Sequence, residues 1–172
     1  MPNTYKAIAS TVLTGTQNNI DFTAIPATYN DLLLVVSGRS SGAGTSQSLY
    51  ISCNYATTGY ASTTFRALEG DGQATAATSN TFANQGAIPG SGSTSNTFGS
   101  AEFYLSNYSG SQRKPIYSVA VNEGNASPIT TQMRFTAANL NDTNAIATIR
   151  VVDSGGGFVS GSRFDLYGIN NS

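Results

Sequence analysis

Residues able to do chemistry are few in this chain, and the most versatile of them is missing. No histidine occurs among the 172 residues. Its absence removes the usual general base and the commonest zinc ligand together, and with them Ser-His-Asp and Cys-His catalysis. One cysteine, Cys53, is present, so no intrachain disulfide can form. In Ser48-Leu-Tyr-Ile-Ser-Cys53 it shares strand parity with Leu49 and Ile51, and it reads as a small buried hydrophobe. A nucleophilic thiol needs an imidazole or a cationic site to lower its pKa.

Carboxylate pairs are the remaining route, since two of them suffice for glycoside hydrolysis. Glu69 and Asp71 flank Gly70, and Glu102 and Asp165 fall on separate predicted strands. Gly70-Asp71-Gly72 has the composition of a turn, and nothing in the spacing aims either pair at a common cleft. Trp, a frequent stacking platform in sugar sites, is absent. Glu69, Asp71 and nearby carbonyls offer fewer oxygens than the roughly six to eight that calcium takes. Ser154-Gly-Gly-Gly157 lacks the helix and the Lys-Ser/Thr of a phosphate cradle. No catalytic residue, no metal ligand set and no cofactor site is expected.

Composition narrows the classes further. Charged residues make up 10% of the chain, 8 Lys+Arg against 9 Asp+Glu, for a net charge of -1. The surface must then be largely Ser, Thr, Asn, Gly and Ala. Arg113-Lys114 is the one adjacent basic pair and precedes Pro115, as at a turn before a strand. The basic footprint of a nucleic-acid partner is missing. Nine Tyr and eight Phe argue against disorder. Met1-Pro-Asn-Thr-Tyr-Lys6 carries no apolar signal region, and the apolar run Leu32–Val36 is far short of the about 20 residues that span a membrane. Synthesis in a cytoplasm and no membrane partner are expected.

The elements that would position any site are strands. Asp31-Leu-Leu-Leu-Val-Val-Ser-Gly-Arg39 holds the only uninterrupted aliphatic run. Pro26 and Asn30 before it and Gly38 after it leave room for a strand rather than a helix. Apolar side chains on both of its faces predict a central strand covered on both sides. Truncating Leu33 or Val35 to Ala should then cost about 2–5 kcal/mol. Tyr5–Leu13 has mixed faces, as expected of an edge or subunit-contact strand. Ile20 and Phe22 are expected to point inward, as are Leu49 and Ile51, and Ala101, Phe103 and Leu105 share one face opposite Glu102 and Tyr104. Met133 and Phe135 are in phase, with Arg134 expected to face out.

About nine or ten short strands separated by turn signals, with no helix, indicate an all-β fold. A jelly-roll-like antiparallel β-sandwich of two four-stranded sheets is preferred over other sandwich topologies. Residues 1–172 form one domain, with a long Gly/Ser/Thr/Ala-rich loop at about 70–97 in which Phe82 and Ile88 are isolated apolar pins. Tyr50, Tyr55 and Tyr60 crowd one region. Tyrosines there serve either packing over a sheet edge or an interface, so Tyr50, Tyr55, Tyr60, Phe82 and Ile88 are the candidate interface residues.

Several segments read together as a pattern: Ser10-Thr-Val-Leu-Thr14, Ile20-Asp-Phe-Thr-Ala-Ile-Pro26, Tyr29-Asn-Asp-Leu-Leu-Leu-Val-Val-Ser37 and Phe65-Arg-Ala-Leu-Glu-Gly70. Ala87-Ile-Pro-Gly90, Phe98-Gly-Ser-Ala-Glu102 and Leu166-Tyr-Gly-Ile169 extend it. In these the chain resembles small virion structural proteins of tailed bacteriophages, especially cyanophages. The resemblance implies a jelly-roll-like module on the outside of a virion, usually a homotrimer. Two roles follow from it. A capsid decoration (cement) protein would bind the major capsid protein and hold the shell; a tail-fibre or tail-tip domain would meet a host receptor or glycan. The short chain, without a fibre shaft, favours the first.

Overall fold

The computed structural model describes residues 4–68, 71–80, 83–125 and 132–170, and among them every regular element is a strand. In chain order these are β1 (Tyr5–Val12), β2 (Asn19–Phe22), β3 (Asp31–Gly38), β4 (Ser46–Cys53), β5 (Tyr60–Leu68) and β6 (Asp71–Asn80). Then come β7 (Ala83–Pro89), β8 (Gly99–Leu105), β9 (Lys114–Asn122), β10 (Gln132–Leu140), β11 (Ile149–Asp153) and β12 (Arg163–Ile169).

Their pairing is nested. β1 pairs with β12, β2 with β11, β3 with β8 and β4 with β7, all antiparallel. Such a set is one long two-stranded ribbon. Wound on itself, it brings β12 beside β3 and β11 beside β4. The two layers are then β1-β12-β3-β8 and β2-β11-β4-β7, which is a jelly roll.

The expectation of two four-stranded sheets is corrected in one of them. β5 and β6 are inserted between β4 and β7, and β9 and β10 between β8 and β11. These four join as β9-β10-β5-β6 beyond β8, giving one sheet of eight strands opposite one of four. The expected loop at 70–97 is corrected with it, because β6 and β7 occupy much of that stretch. Ala, Thr and Gly carry no hydrophobic period, so the sequence offers no strand signal there. They extend readily once a neighbour presents a ladder, and β5 and β4 present one each.

The core lies between the layers. Leu32, Leu34 and Val36 of β3 are wholly buried, as are Phe103, Leu166, Leu49, Ile51 and Val151. Leu33 and Val35 are only half-buried, which overturns their expected burial. The second layer covers one face of β3, and the intervening residues point to the other. Close approach of the layers is visible at Gly86 on β7, where a Cβ would meet Ala120 of β9 at 3.4 Å, besides Leu49 of its own layer at 3.2 Å. At the end of β3 the Arg39 guanidinium donates to the carbonyls of Thr94 (2.8 Å), Thr97 (3.1 Å) and Ser93 (3.1 Å). It thereby fixes the turn leading into β8.

Leu34→Ala should therefore cost about 2–5 kcal/mol, and Leu33→Ala clearly less. Urea unfolding of both variants checks this; equal losses would mean that both faces of β3 are filled.

Candidate interaction surface

The inserted strands invert the usual polarity of a sheet. Their register is continuous: Phe135 stands opposite Phe65 on β5 and Val119 on β9, and Met133 opposite Val121. Along this side Phe65 is 49% exposed, Tyr117 52%, Val121 39%, Met133 41% and Phe135 43%. Phe65, Tyr117 and Phe135, together with Thr63, Val119 and Ala137, frame a shallow, open, apolar hollow. Tyr117 stacks on Tyr104 of β8 with ring centroids 5.1 Å apart. The Tyr104 hydroxyl donates to Asp31 at 2.6 Å, and burial followed by that carboxylate pushes its pKa up to about 12. This stacked pair joins the apolar face to the jelly roll proper.

The inward side of the same strands adds Tyr60, Ile116, Ala120 and Leu140 to the core, but between them it is polar. Thr64 and Thr136 share a hydrogen bond at 2.9 Å, and Ser118 lies beside Thr136 in register. Arg134, expected to face out, is 7% exposed and donates to the Gly86 carbonyl at 3.2 Å and to Gln132 at 3.0 Å. Burial, then Arg66, lowers its pKa from the usual guanidinium value. The strand alternation of Met133, Arg134 and Phe135 is thus as expected with the sides exchanged. Normal patterning would put Phe65, Phe135 and Tyr117 inside. Here β7 lies against β9, β10 and β5 and supplies a backbone carbonyl to Arg134 rather than an apolar floor.

Elsewhere the reactive-looking groups are held by the chain itself. Asp153 accepts Ser40 Oγ at 2.5 Å and the amides of Gly155 (3.0 Å) and Gly157 (2.8 Å). The Gly155–Gly157 loop therefore closes on an internal carboxylate. Lys114 is wholly buried, and its Nζ donates to the carbonyls of Gly110 and Gln112. Burial lowers its pKa, partly offset by Asp142. Cys53 is also wholly buried, and burial pushes its thiol up to about 12. Glu102 and Asp165 do reach one row of the eight-stranded sheet, on either side of Val35. Asp165, however, accepts Ser10 Oγ at 2.5 Å and Arg163 Nε at 2.7 Å. Glu69, Gly70 and the side chain of Asp71 lie outside the described residues.

The predicted interface residues are not brought together. Tyr60 and Ile88 are wholly buried, which removes them from any surface; the Tyr60 hydroxyl accepts the Cys53 amide at 2.8 Å and pins the turn between β4 and β5. Tyr50 is half-buried. Tyr55 is 46% exposed and lies under the Arg150 guanidinium at 4.7 Å, itself paired with Asp21 through two hydrogen bonds of 2.7 and 2.8 Å. Phe82 lies outside the described residues. The face that sequence reasoning missed had a signal. Phe65, Tyr117, Val119, Val121, Met133 and Phe135 keep one parity on three strands, against Thr64, Ser118, Arg134 and Thr136 on the other.

No protein-family model and no curated protein sequence matches the chain.

Stability should have a broad neutral plateau. Without His, no side chain has its ordinary pKa between about 5 and 8. Asp142 and Asp165 do titrate with folding. The amide of Asn144 holds Asp142 below the usual carboxylate range. For Asp165, burial acts upward, but Arg163 and Ser10 outweigh it and leave the net shift downward. Depressed folded-state values stabilise above the unfolded value of about 3.9 and lose that contribution as pH falls through the folded value. The thermal midpoint should stay flat from about pH 5 to 8 and fall below about 4. In Asp165→Asn the acid drop should shrink. A steep change near neutrality would contradict this.

Proposed function

We propose that this protein is a non-enzymatic virion structural protein, a capsid decoration (cement) protein that binds the outside of a phage head and stabilises the shell. The observation that carries this reading is the apolar outer face of β5, β9 and β10. Those strands carry no charge at their outward positions, and half of each large ring on them is bare. Patches of that kind mark docking surfaces, and they grip by area rather than by field.

Two further features support it. A jelly roll closed by nested pairing is a stiff body suited to bearing load, and Arg39, Lys114 and Asp153 are spent on holding turns rather than aimed at a ligand. The sequence resemblance to tailed-phage virion proteins supplies the setting. In that setting the partner is the major capsid protein and the assembly is a homotrimer on the capsid surface, after synthesis in the host cytoplasm.

Electron microscopy of virions with this protein gold-labelled tests the proposal. Label over the icosahedral head is the expected result. Label confined to the tail would replace cement with a fibre or tail-tip role and a host receptor or glycan as partner. Particles without label would remove the virion role.

A further inference from the structure

We propose that the cleft where β5 begins and β10 ends is a binding site for a sugar acid, a carboxylate carried on a ring-sized body with hydroxyl groups. The cleft holds about 320 Å³ and is lined by Gly59, Tyr60, Ala61, Arg113, Asn139 and Asn141. That volume lies at the lower end of ligand pockets, roughly 300–1,000 Å³. The inference goes beyond the decoration reading and does not rest on it.

The carboxylate follows from Arg113. Arg39, Arg134, Arg150 and Arg163 are each held by hydrogen bonds or carboxylates of the chain, and Arg66 is engaged as well. Among the described residues Arg113 is the one arginine whose guanidinium has no partner, and the lining of its cleft contains no carboxylate. Its surroundings set the charge of the ligand. Lys114 follows it in the chain, and Asp142 lies near enough to act on that lysine. These two charges cancel, and Arg113 leaves one positive charge over. A monoanion balances it, and the planar fork of a guanidinium suits a carboxylate.

The hydroxyl-bearing body follows from the two asparagines. Asn54, Asn107 and Asn144 spend their side-chain amides on the turns around them. Those of Asn139 and Asn141 have no partner among the described residues, and both line the cleft. Each offers two donors and an acceptor, the complement of hydroxyls that both give and take a hydrogen bond. Beside them Gly59 and Ala61 present small apolar surface to the C–H face of a ring.

The three polar groups come from separate parts of the chain, and each is held in place. Buried Lys114 draws in the carbonyls of Gly110 and Gln112 and so sets the loop from which Arg113 projects. Asn139 stands between Ala61 of β5 and Pro115 of β9. The Asn141 amide donates to the Gly59 carbonyl at 2.9 Å, and Gly59 itself has a φ of 90°, where a side chain would be strained. A wholly buried lysine is a costly way to close a turn. Here it acts as a positioning residue for the arginine beside it.

The test is titration of the isotope-labelled full chain with glucuronate, glucose and acetate at constant ionic strength, followed by amide correlation spectra. Glucuronate should shift the signals of Gly59, Asn139 and Asn141 saturably, with a Kd of about 1 mM. Glucose lacks the carboxylate and acetate lacks the ring, so each should bind about tenfold more weakly or worse. Arg113→Gln should weaken glucuronate by about 10–100-fold, the loss of a charged hydrogen bond. Asn139→Asp, which sets a carboxylate in the cleft, should weaken it as well. Both positions are exposed, and the same spectra report whether the fold is kept. Arg150→Gln, on the other layer, should leave the Kd unchanged. No saturable shift, glucose or acetate binding as tightly as glucuronate, or Arg113→Gln binding like the wild type would each overturn the inference. None of these outcomes changes where label falls on a virion, so the decoration reading stands or falls separately.

Discussion

Nested strand pairing governs the rest of this molecule. Once β3 is held between β12 and β8, its alternate residues Leu32, Leu34 and Val36 must project between the layers, where Leu49, Ile51 and Val151 meet them. A one-residue slip would exchange these for Leu33, Val35 and Ser37. Because Leu33 and Val35 are apolar too, local hydrophobicity alone does not set the register of β3. The partners set it. Asp31 at the start of the strand takes the Asn107 amide at 2.8 Å and the Tyr104 hydroxyl at 2.6 Å, and Arg39 just beyond its end clasps the 93–97 turn. The strand is anchored at both ends by polar groups and filled in the middle by aliphatic ones.

The inserted strands depend on that frame without repeating its pattern. They extend the larger sheet, and of the smaller layer it is mainly β7 that lies across them, with β4 touching at Tyr60 and Arg134. A single strand with Gly86 at its centre cannot bury three aromatic rings, but it can offer a carbonyl. The buried side accordingly holds the Thr64–Thr136 hydroxyl pair and a guanidinium that reaches the Gly86 carbonyl of β7, while the Ser118 hydroxyl beside them has no hydrogen-bond partner among the described residues. The bare side holds the rings. Burying Arg134 carries a desolvation cost, and the hydrogen bonds to Gly86 and Gln132 offset part of it.

Much of the frame was legible in the sequence, and the reasons differ by element. The all-β sandwich follows from alternation in Ile20–Phe22, Leu49–Ile51 and Ala101–Leu105, where large apolar residues mark one side unambiguously. β6 and β7 were illegible because Ala, Gly, Thr and Ser have no preference strong enough to show against a loop. That β5, β9 and β10 join with β6 as one extension of the larger sheet was also not foreseen, because alternation within a strand does not say which neighbour it pairs with. The sidedness of β10 was misread because a lone arginine between Met133 and Phe135 ordinarily points to water. Only the neighbours, with Thr64 and Ser118 on its side and Phe65 and Tyr117 opposite, reveal the exchange. Tyr60 and Ile88 look like surface anchors one residue at a time and prove to be core, since Tyr60 spends its hydroxyl on a buried amide.

Nested pairing also has a kinetic side. Like brackets within brackets, each outer strand pair can join cheaply only after the pair inside it has shortened the intervening chain. Hairpins β5–β6 and β9–β10 close locally, whereas β1 waits for β12. Long-range pairing of this sort is slow. The strands bearing Phe65, Phe135 and Tyr117 are thus among the first to form, and their apolar side is on show while the outer ribbon is still open. A nascent chain of this design is exposed to its neighbours early, and the order of closure rather than the final stability decides whether they meet as folded subunits or as aggregates.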